Sequence, residues 1–261
     1  MKNASFSYDG KTDIFADLNC TIKSGEVFCI LGPNGTGKST LLNCLMNFQR
    51  IKQGEILLDD VNITKIETNE LAKRIALIPQ THQLSFPYKV IDLVLMGRTP
   101  HLNSMSSPSG EDYDAAVSAI ETVGIGDLAY RPCSQLSGGQ LQLVMFARAL
   151  AQQSDMILLD EPTSHLDFGN QMRALDAIFA MRDKGIGMIM TSHYPDHAFL
   201  GCDRVAIMSE KTFKAVGPPD EVVTEEALRE IYKIDIRVME LENGIGRKVC
   251  IPLRKGFNSE S

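Results

Sequence analysis

The sequence predicts an α/β protein whose core of buried strands alternating with helices is interrupted by a helical lobe. Three observations carry that prediction. GEVFCIL (Gly25–Leu31) is a buried strand that runs through a glycine-rich turn, GPNGTGKST (Gly32–Thr40), into the apolar-faced helix STLLNCLMN (Ser39–Asn47). MILLDE (Met156–Glu161) is a second continuous apolar run, of the kind strands buried on both faces have. Between them, from His82 to about Ala151, helical spacing and loop composition replace every strand signal.

The elements follow in order. MKNASFSYDG reads as the tail of a strand, with Phe6 and Tyr8 alternating, and GKTDIFADLNCTIKSGEVFCIL as a turn and further strands. QGEILLDDVNI (Gln53–Ile63) holds a strand and an Asp-Asp turn, and NELAKRIALIPQ (Asn69–Gln80) a short helix running into a strand that Pro79 ends. In the lobe, YKVIDLVLMG (Tyr88–Gly97) is helical and TPHLNSMSSPSGE (Thr99–Glu111) a loop. DYDAAVSAIETVG is a helix with Tyr113, Ala116, Val117, Ile120 and Val123 on one face, and CSQLSGGQLQLVMFARALAQ (Cys133–Gln152) is a loop and a long helix. FGNQMRALDAIFAMRDKG (Phe168–Gly185) is a helix stopped by Gly185. GMIMTSH (Gly187–His193) and CDRVAIM (Cys202–Met208) are strands, and EALREIY (Glu226–Tyr232) is a short helix. IDIRVMELENGIGRKVCI (Ile234–Ile251) alternates on both sides of Asn243-Gly244, a hairpin signal, and Lys255–Ser261 reads as a frayed end. The expected division is a catalytic core over 1–84 and 152–232, a helical subdomain over 85–151, and a C-terminal hairpin and tail over 233–261.

The 261 residues are 44% hydrophobic and 23% charged, ordinary values for a globular chain. A formal net charge of −7 argues against a nucleic-acid partner, which favours a basic face. Six cysteines are scattered without a C-x-x-C pair, and read as reduced core residues of a cytosolic protein. No signal peptide opens the chain, and no run approaches the ~20 apolar residues that cross a bilayer. A membrane role therefore comes through a partner.

The glycine-rich turn fits G-x-x-x-x-G-K-[ST], the phosphate-binding loop. A nucleoside triphosphate carries several negative charges that must be held away from water. Gly32, Gly35 and Gly37 let the backbone curl with its N–H groups inward, and Lys38 sets an ammonium against the β- and γ-phosphates. Ser39 offers its hydroxyl to Mg²⁺, and Thr40 leads into the helix whose N-terminus faces the anion. At the end of MILLDE two carboxylates emerge: Asp160 is placed to hold Mg²⁺ and Glu161 to polarise an attacking water. In LSGGQ (Leu136–Gln140), Ser137 is a natural N-cap and two glycines expose amides, again suited to an anion. It lies about 20 residues before the Asp-Glu pair.

GPNGTGKST, LSGGQ and ILLDEP, in this order and spacing, resemble the nucleotide-binding subunit of ATP-binding cassette (ABC) transporters, over roughly Phe6 to Tyr232. The resemblance implies a P-loop NTPase (RecA-like) core with an antiparallel β subdomain and the inserted helical subdomain. It assigns ATP to Gly32, Pro33, Asn34, Gly35, Thr36, Gly37, Lys38, Ser39 and Thr40, with Tyr8 stacking on adenine. Gln80, in IPQ, matches the glutamine loop that touches Mg²⁺, and His193, in MTSH, the histidine that hydrogen-bonds the γ-phosphate. SHLD (Ser164–Asp167) matches the loop crossing the dimer interface, Asp167 also suiting an N-cap. His165 and His197 read as structural or surface residues. Two copies pair head to tail, so that Ser137, Gly138, Gly139 and Gln140 of one chain close over the ATP of the other. Hydrolysis removes the anion both were holding, and the helical lobe passes the motion to a membrane permease.

SFPYKVIDLVLMGRTPHLN (Ser85–Asn103) and YPDHAF resemble the subfamily energising importers of iron–siderophore, haem and cobalamin. That subfamily implies a homodimer of ATPase subunits on the cytoplasmic face of the membrane, permease subunits and an extracytoplasmic substrate-binding protein. Within the lobe phrase, Arg98 reads either as part of that signature or as a solvated residue. Zinc/manganese and molybdate importers share part of the phrase. An exporter, a soluble ABC ATPase and a catalytically dead module are the other readings. Two departures stand out: the strand ahead of Phe6 is shorter than the family's, and Leu141 follows LSGGQ where many members carry a long polar or basic side chain.

Overall fold

The computed structural model describes residues 1–81, 86–103, 106–241 and 246–253. In chain order its elements are β1 (Lys2–Phe6), β2 (Phe15–Leu18), β3 (Val27–Leu31), α1 (Lys38–Leu45), β4 (Gln53–Glu55), β5 (Leu57–Leu58), β6 (Val61–Asn62), α2 (Thr68–Arg74) and β7 (Ile75–Ile78). Then come α3 (Val90–Leu95), α4 (Gly110–Thr122), α5 (Gly138–Ala151), β8 (Met156–Leu159), α6 (Phe168–Asp183), β9 (Gly187–Ser192), α7 (Asp196–Gly201), β10 (Arg204–Ser209) and β11 (Thr212–Gly217). The last are α8 (Pro219–Val222), α9 (Glu225–Tyr232), β12 (Ile236–Glu240) and β13 (Lys248–Pro252). They pack into two compact units. One holds Met1–Ile22, Glu26–Asp60 and Met190–Ser261; the other holds Lys23–Gly25 and Val61–Ile189.

In the first unit β10 runs parallel to β3, with Val205 beside Cys29, and antiparallel to β11. Every residue of β3 is buried, which is why the sequence shows an unbroken apolar run rather than alternation. β1 pairs antiparallel with both β2 and β4, and the rings of Phe6 and Phe15 stack at 5.9 Å beneath that layer. β1 ends at Phe6, so Tyr8 lies in the following turn instead of continuing the strand. The turn from β10 into β11 places Glu210 and Lys211 at φ 47° and 70°. Left-handed backbone at both positions fits a tight hairpin, but without glycine or asparagine there the sequence offers no hairpin signal, and β11 goes unread in it. β12 and β13 form the expected C-terminal hairpin; its Asn243-Gly244 turn and the Lys255–Ser261 tail lie outside the described residues.

In the second unit β7 pairs parallel with β8, Ile78 beside Leu159. α3, α4 and α5 pack on one another, and α5 also packs on α6. Two expectations need correction here. Residues 96–101 form a 3₁₀ helix through Pro100, where the sequence reads as a loop from Thr99. On α4 the inward face is Asp112, Ala116, Ala119 and Ile120, while Tyr113 and Val117 are 47% and 44% exposed.

The cause of that rotation is Arg98. It is neither solvated nor turned outward: its Nε donates to Asp112 Oδ1 at 2.9 Å, and its NH1 to the Ala151 carbonyl at 2.9 Å and to Gln153 Oε1 at 2.8 Å. A buried guanidinium requires a buried carboxylate, so Asp112 takes an inward position that apolar spacing alone would deny it. Ser109 backbone and hydroxyl donors, together with Arg98, push the Asp112 carboxyl down to about 2. Beside it, a Cβ on Gly97 would come within 2.2 Å of the Arg148 carbonyl, so the 3₁₀ segment meets α5 backbone to backbone. All six cysteines are unbridged; Cys29, Cys44, Cys133 and Cys202 are buried and Cys20 and Cys250 half-buried.

Candidate functional site

In the first unit the glycine-rich loop leaves β3 and turns into α1. Gly37, at φ 98°, is the N-cap of α1 in left-handed backbone, and a Cβ there would lie 2.8 Å from Ile14 Cγ2. A Cβ on Gly32 would sit 2.3 Å from the Met208 carbonyl, so the loop starts pressed against β10. Lys38 is 5% exposed. Its Nζ donates to the carbonyls of Gly32 (2.8 Å) and Pro33 (3.0 Å), which holds the ammonium within the curl of its own loop. The Thr36 hydroxyl donates to Pro33 O and braces the same turn. α1 has no side-chain cap and no acidic residue in its first turn. A cation taken out of water beside an uncapped helix N-terminus is an environment that favours a polyanion. Asn34, Gly35 and Ser39 are exposed at its mouth and Thr40 is half-buried.

Two further predicted residues lie in the same unit. Tyr8 is 63% exposed, its hydroxyl 3.3 Å from Thr40 Oγ1 and its ring edge-on to Phe6 at 4.8 Å. An apolar ring face is thus open beside the start of α1, as base stacking requires. His193 follows β9 directly. The preceding Ser192 accepts the Gly32 N–H on its carbonyl at 3.1 Å, so the phosphate loop and the end of β9 are joined through main chain. The His193 ring lies 4.1 Å from the Tyr194 ring. His197 is the buried histidine of this cluster, with Nδ1 2.9 Å from Ser192 Oγ; burial first, then the neighbouring His193, pushes its pKa down to about 4.

The second unit carries the other predicted residues. Asp160 continues β8, its N–H donating to Ile78 O at 2.9 Å, and Glu161 follows at φ 46°. Left-handed backbone on a glutamate is uncommon and costs of order 1 kcal/mol or more. It is held by Ser164, whose N–H (3.0 Å) and hydroxyl (2.9 Å) both donate to the Glu161 carbonyl. Gln80 Nε2 donates to Glu161 Oε2 at 3.1 Å. This contact between residues 81 apart is not legible in the sequence.

Ser137 caps α5 as expected, but the cap is reciprocal. Ser137 Oγ accepts the Gln140 N–H at 3.3 Å, and Gln140 Oε1 accepts the Ser137 N–H at 3.0 Å. The Gln140 side chain therefore serves its own helix. Gly138 faces open space, whereas a Cβ on Gly139 would lie 2.3 Å from Asn170 Cγ. Asn170 is fixed by Asp167, which caps α6 with Oδ1 on the Asn170 N–H and Oδ2 on its amide, both at 2.8 Å. LSGGQ and SHLD thus meet through one asparagine, a third residue that the motifs do not contain.

Each unit carries hard oxygen donors of the kind Mg²⁺ takes: the Ser39 hydroxyl in the first, and the Asp160 carboxylate and Gln80 amide oxygen in the second. Among the described residues no group of three or more His, Cys, Asp or Glu side chains could hold a metal.

A glycine-rich strand-to-helix turn whose carbonyls hold a buried lysine ammonium is the mark of the phosphate-loop class of α/β nucleotide-binding proteins. Known proteins narrow this. The ABC transporter family matches residues 15–164. The petrobactin import ATP-binding protein FpuD of Bacillus anthracis is 34% identical over 98% of this chain and 93% of its own length. The molybdate import ATP-binding protein MolC of Haemophilus influenzae is 33% identical over 90% of this chain and 87% of its own. A solved inward-facing conformation of a metal-chelate type ABC transporter superposes with a TM-score of 0.86 at 31% identity, covering 97% of this chain and 96% of that one. The chain belongs to the ABC transporter family, as an ATP-binding subunit of its ATPases coupled to transport.

Proposed function

We propose that this chain powers uptake of an iron chelate, haem or cobalamin through a membrane permease, by hydrolysing ATP as a homodimer on the cytoplasmic face of the membrane. The observation that carries the ATPase chemistry is the buried Lys38 ammonium inside its loop, beside a helix N-terminus with no acidic residue in its first turn. The importer class rests on similarity along nearly the whole chain to the petrobactin-import protein and the metal-chelate transporter. Similarity to a molybdate-import protein supports molybdate as the second reading of the cargo. No helix among the described residues is long and apolar enough to cross a membrane, so attachment through permease subunits is part of the proposal, as is an extracytoplasmic substrate-binding protein.

Residues 1–84 and 152–232 act as the catalytic core, 85–151 as the lobe that meets the permease, and 233–261 as an appended hairpin and tail. Tyr8 stacks on adenine, and the Gly32–Thr40 amides with Lys38 hold the phosphates. Ser39, Asp160 and the Gln80 carbonyl oxygen would hold Mg²⁺, which when bound would supply positive charge to offset that of the phosphates. Glu161, oriented by Gln80, takes a proton from the water whose oxygen attacks the γ-phosphorus, and the bond to the ADP oxygen breaks. His193 hydrogen-bonds the γ-phosphate. Ser137 and the Gly138–Gly139 amides of the second copy close the pocket, with Gln140 fixing their helix end.

Glu161→Gln tests the chemistry. The variant binds ATP, dimerises in its presence and turns over about 10²–10⁴-fold more slowly, the usual weight of a general base. Hydrolysis at the parent rate would remove Glu161 from that role. Reconstitution with the native permease, followed by uptake of iron chelates, haem, cobalamin and molybdate, reads the cargo.

A further inference from the structure

The C-terminal third of the first unit has no part in nucleotide chemistry as described so far, yet it reaches the loop that carries His193. The Tyr232 hydroxyl, at the last residue of α9, donates to the His193 carbonyl at 2.8 Å. We propose that Tyr232 is a positioning residue for His193, and that the β12–β13 hairpin keeps Tyr232 in place. The proposal rests on the reading of His193 as the γ-phosphate contact.

The geometry supports a fixed rather than incidental bond. α9 is anchored on the inward side by Leu228 and Ile231, 0% and 8% exposed. At its N-terminus Thr224 Oγ1 accepts the Ala227 N–H, and at its C-terminus Lys233 stops it in left-handed backbone at φ 57°. Two further bonds tie the hairpin to α9 itself and to α7, the helix that follows His193. Glu225 Oε1 at the start of α9 accepts the Val238 N–H of β12 at 3.1 Å. Asp196 Oδ1 at the start of α7 accepts the Cys250 N–H of β13 at 2.8 Å. On the other side of His193, Ser192 is fixed by its carbonyl bond to Gly32 N–H and by its hydroxyl contact with His197. Residue 193 is therefore gripped from before by the phosphate loop and from behind by α9. Rotating the His193 peptide breaks the Tyr232 bond, so the bond fixes the backbone from which the imidazole projects.

Tyr232→Phe in the full chain tests this, since the ring and its volume stay and only the donor goes. With ATP as substrate, kcat falls about three- to tenfold, the factor carried by one hydrogen bond. KM stays within about twofold, because the phosphate loop is untouched. In a His193→Ala background the same substitution adds nothing further, as expected if it acts through that side chain. An unchanged kcat overturns the inference, with or without a lower Tm; so does a rise in KM matching the fall in kcat, or an equal loss in the His193→Ala background. If His193→Ala itself hydrolyses at the parent rate, the γ-phosphate reading of His193 fails and the inference falls with it. A slow His193→Ala beside a parent-like Tyr232→Phe removes the inference alone.

Discussion

The chain contains two glycine-rich helix starts, and they are built in opposite ways. α1 begins on Gly37 without a side-chain cap and with a lysine curled inside the loop before it. α5 begins on Ser137 with a complete capping box, each partner satisfying the other's amide. The first leaves its helix end electrostatically unfinished, so that an anion completes it. The second is complete on its own. What it leaves exposed is Ser137 and Gly138, with open space where a Gly138 side chain would stand. On the proposed reading, the unfinished end grips ATP within one chain and the finished one serves as a preformed lid for another.

The comparison breaks most easily at Lys38. Lys38→Ala weakens ATP binding about a hundredfold, the scale of a lost charge-assisted contact, and equilibrium binding of ATP measures it. A variant that binds like the parent would mean that the α1 end is no more an anion site than the α5 end.

A smaller effect sharpens the contrast through pH. His197 anchors Ser192, which the phosphate loop touches, and its folded pKa of about 4 lies below the ordinary 6.5. A histidine held neutral when folded binds its proton first in the unfolded chain. Its contribution is therefore fully present above the unfolded value and is lost as pH falls from about 6.5 towards 4. Urea unfolding should show about 2 kcal/mol of this loss between pH 7 and pH 5, absent in His197→Asn.

Ser137→Ala gives the smallest change. Loss of the cap costs about 1 kcal/mol of stability and leaves ATP binding by the single chain unaltered, while turnover falls about tenfold. Weaker binding of ATP to monomer would show that the α5 end is not reserved for the second copy.

Much of this was legible beforehand because it is local. A strand, a turn and a helix written one after another between Gly25 and Asn47, an N-cap three residues before its partner, and an apolar run ending in carboxylates all depend on neighbours in sequence. What escaped depends on distance. Asp112 faces inward because of Arg98, fourteen positions earlier, which no apolar periodicity encodes. Gln80 reaches Glu161, Asn170 links two motifs without belonging to either, and Tyr232 meets a main-chain oxygen that has no residue identity to read. The hairpin into β11 failed for a different reason: glutamate and lysine occupy a backbone conformation that usually announces itself with glycine.

The tie between Gly32 N–H and Ser192 O joins main-chain atoms at both ends. Side-chain replacement at 193 would leave it intact, so descendants of this gene could lose the imidazole yet inherit the wiring that once served it. Severing that wire alone calls for chemical synthesis, with an ester in place of the amide at position 32, and not for a codon change.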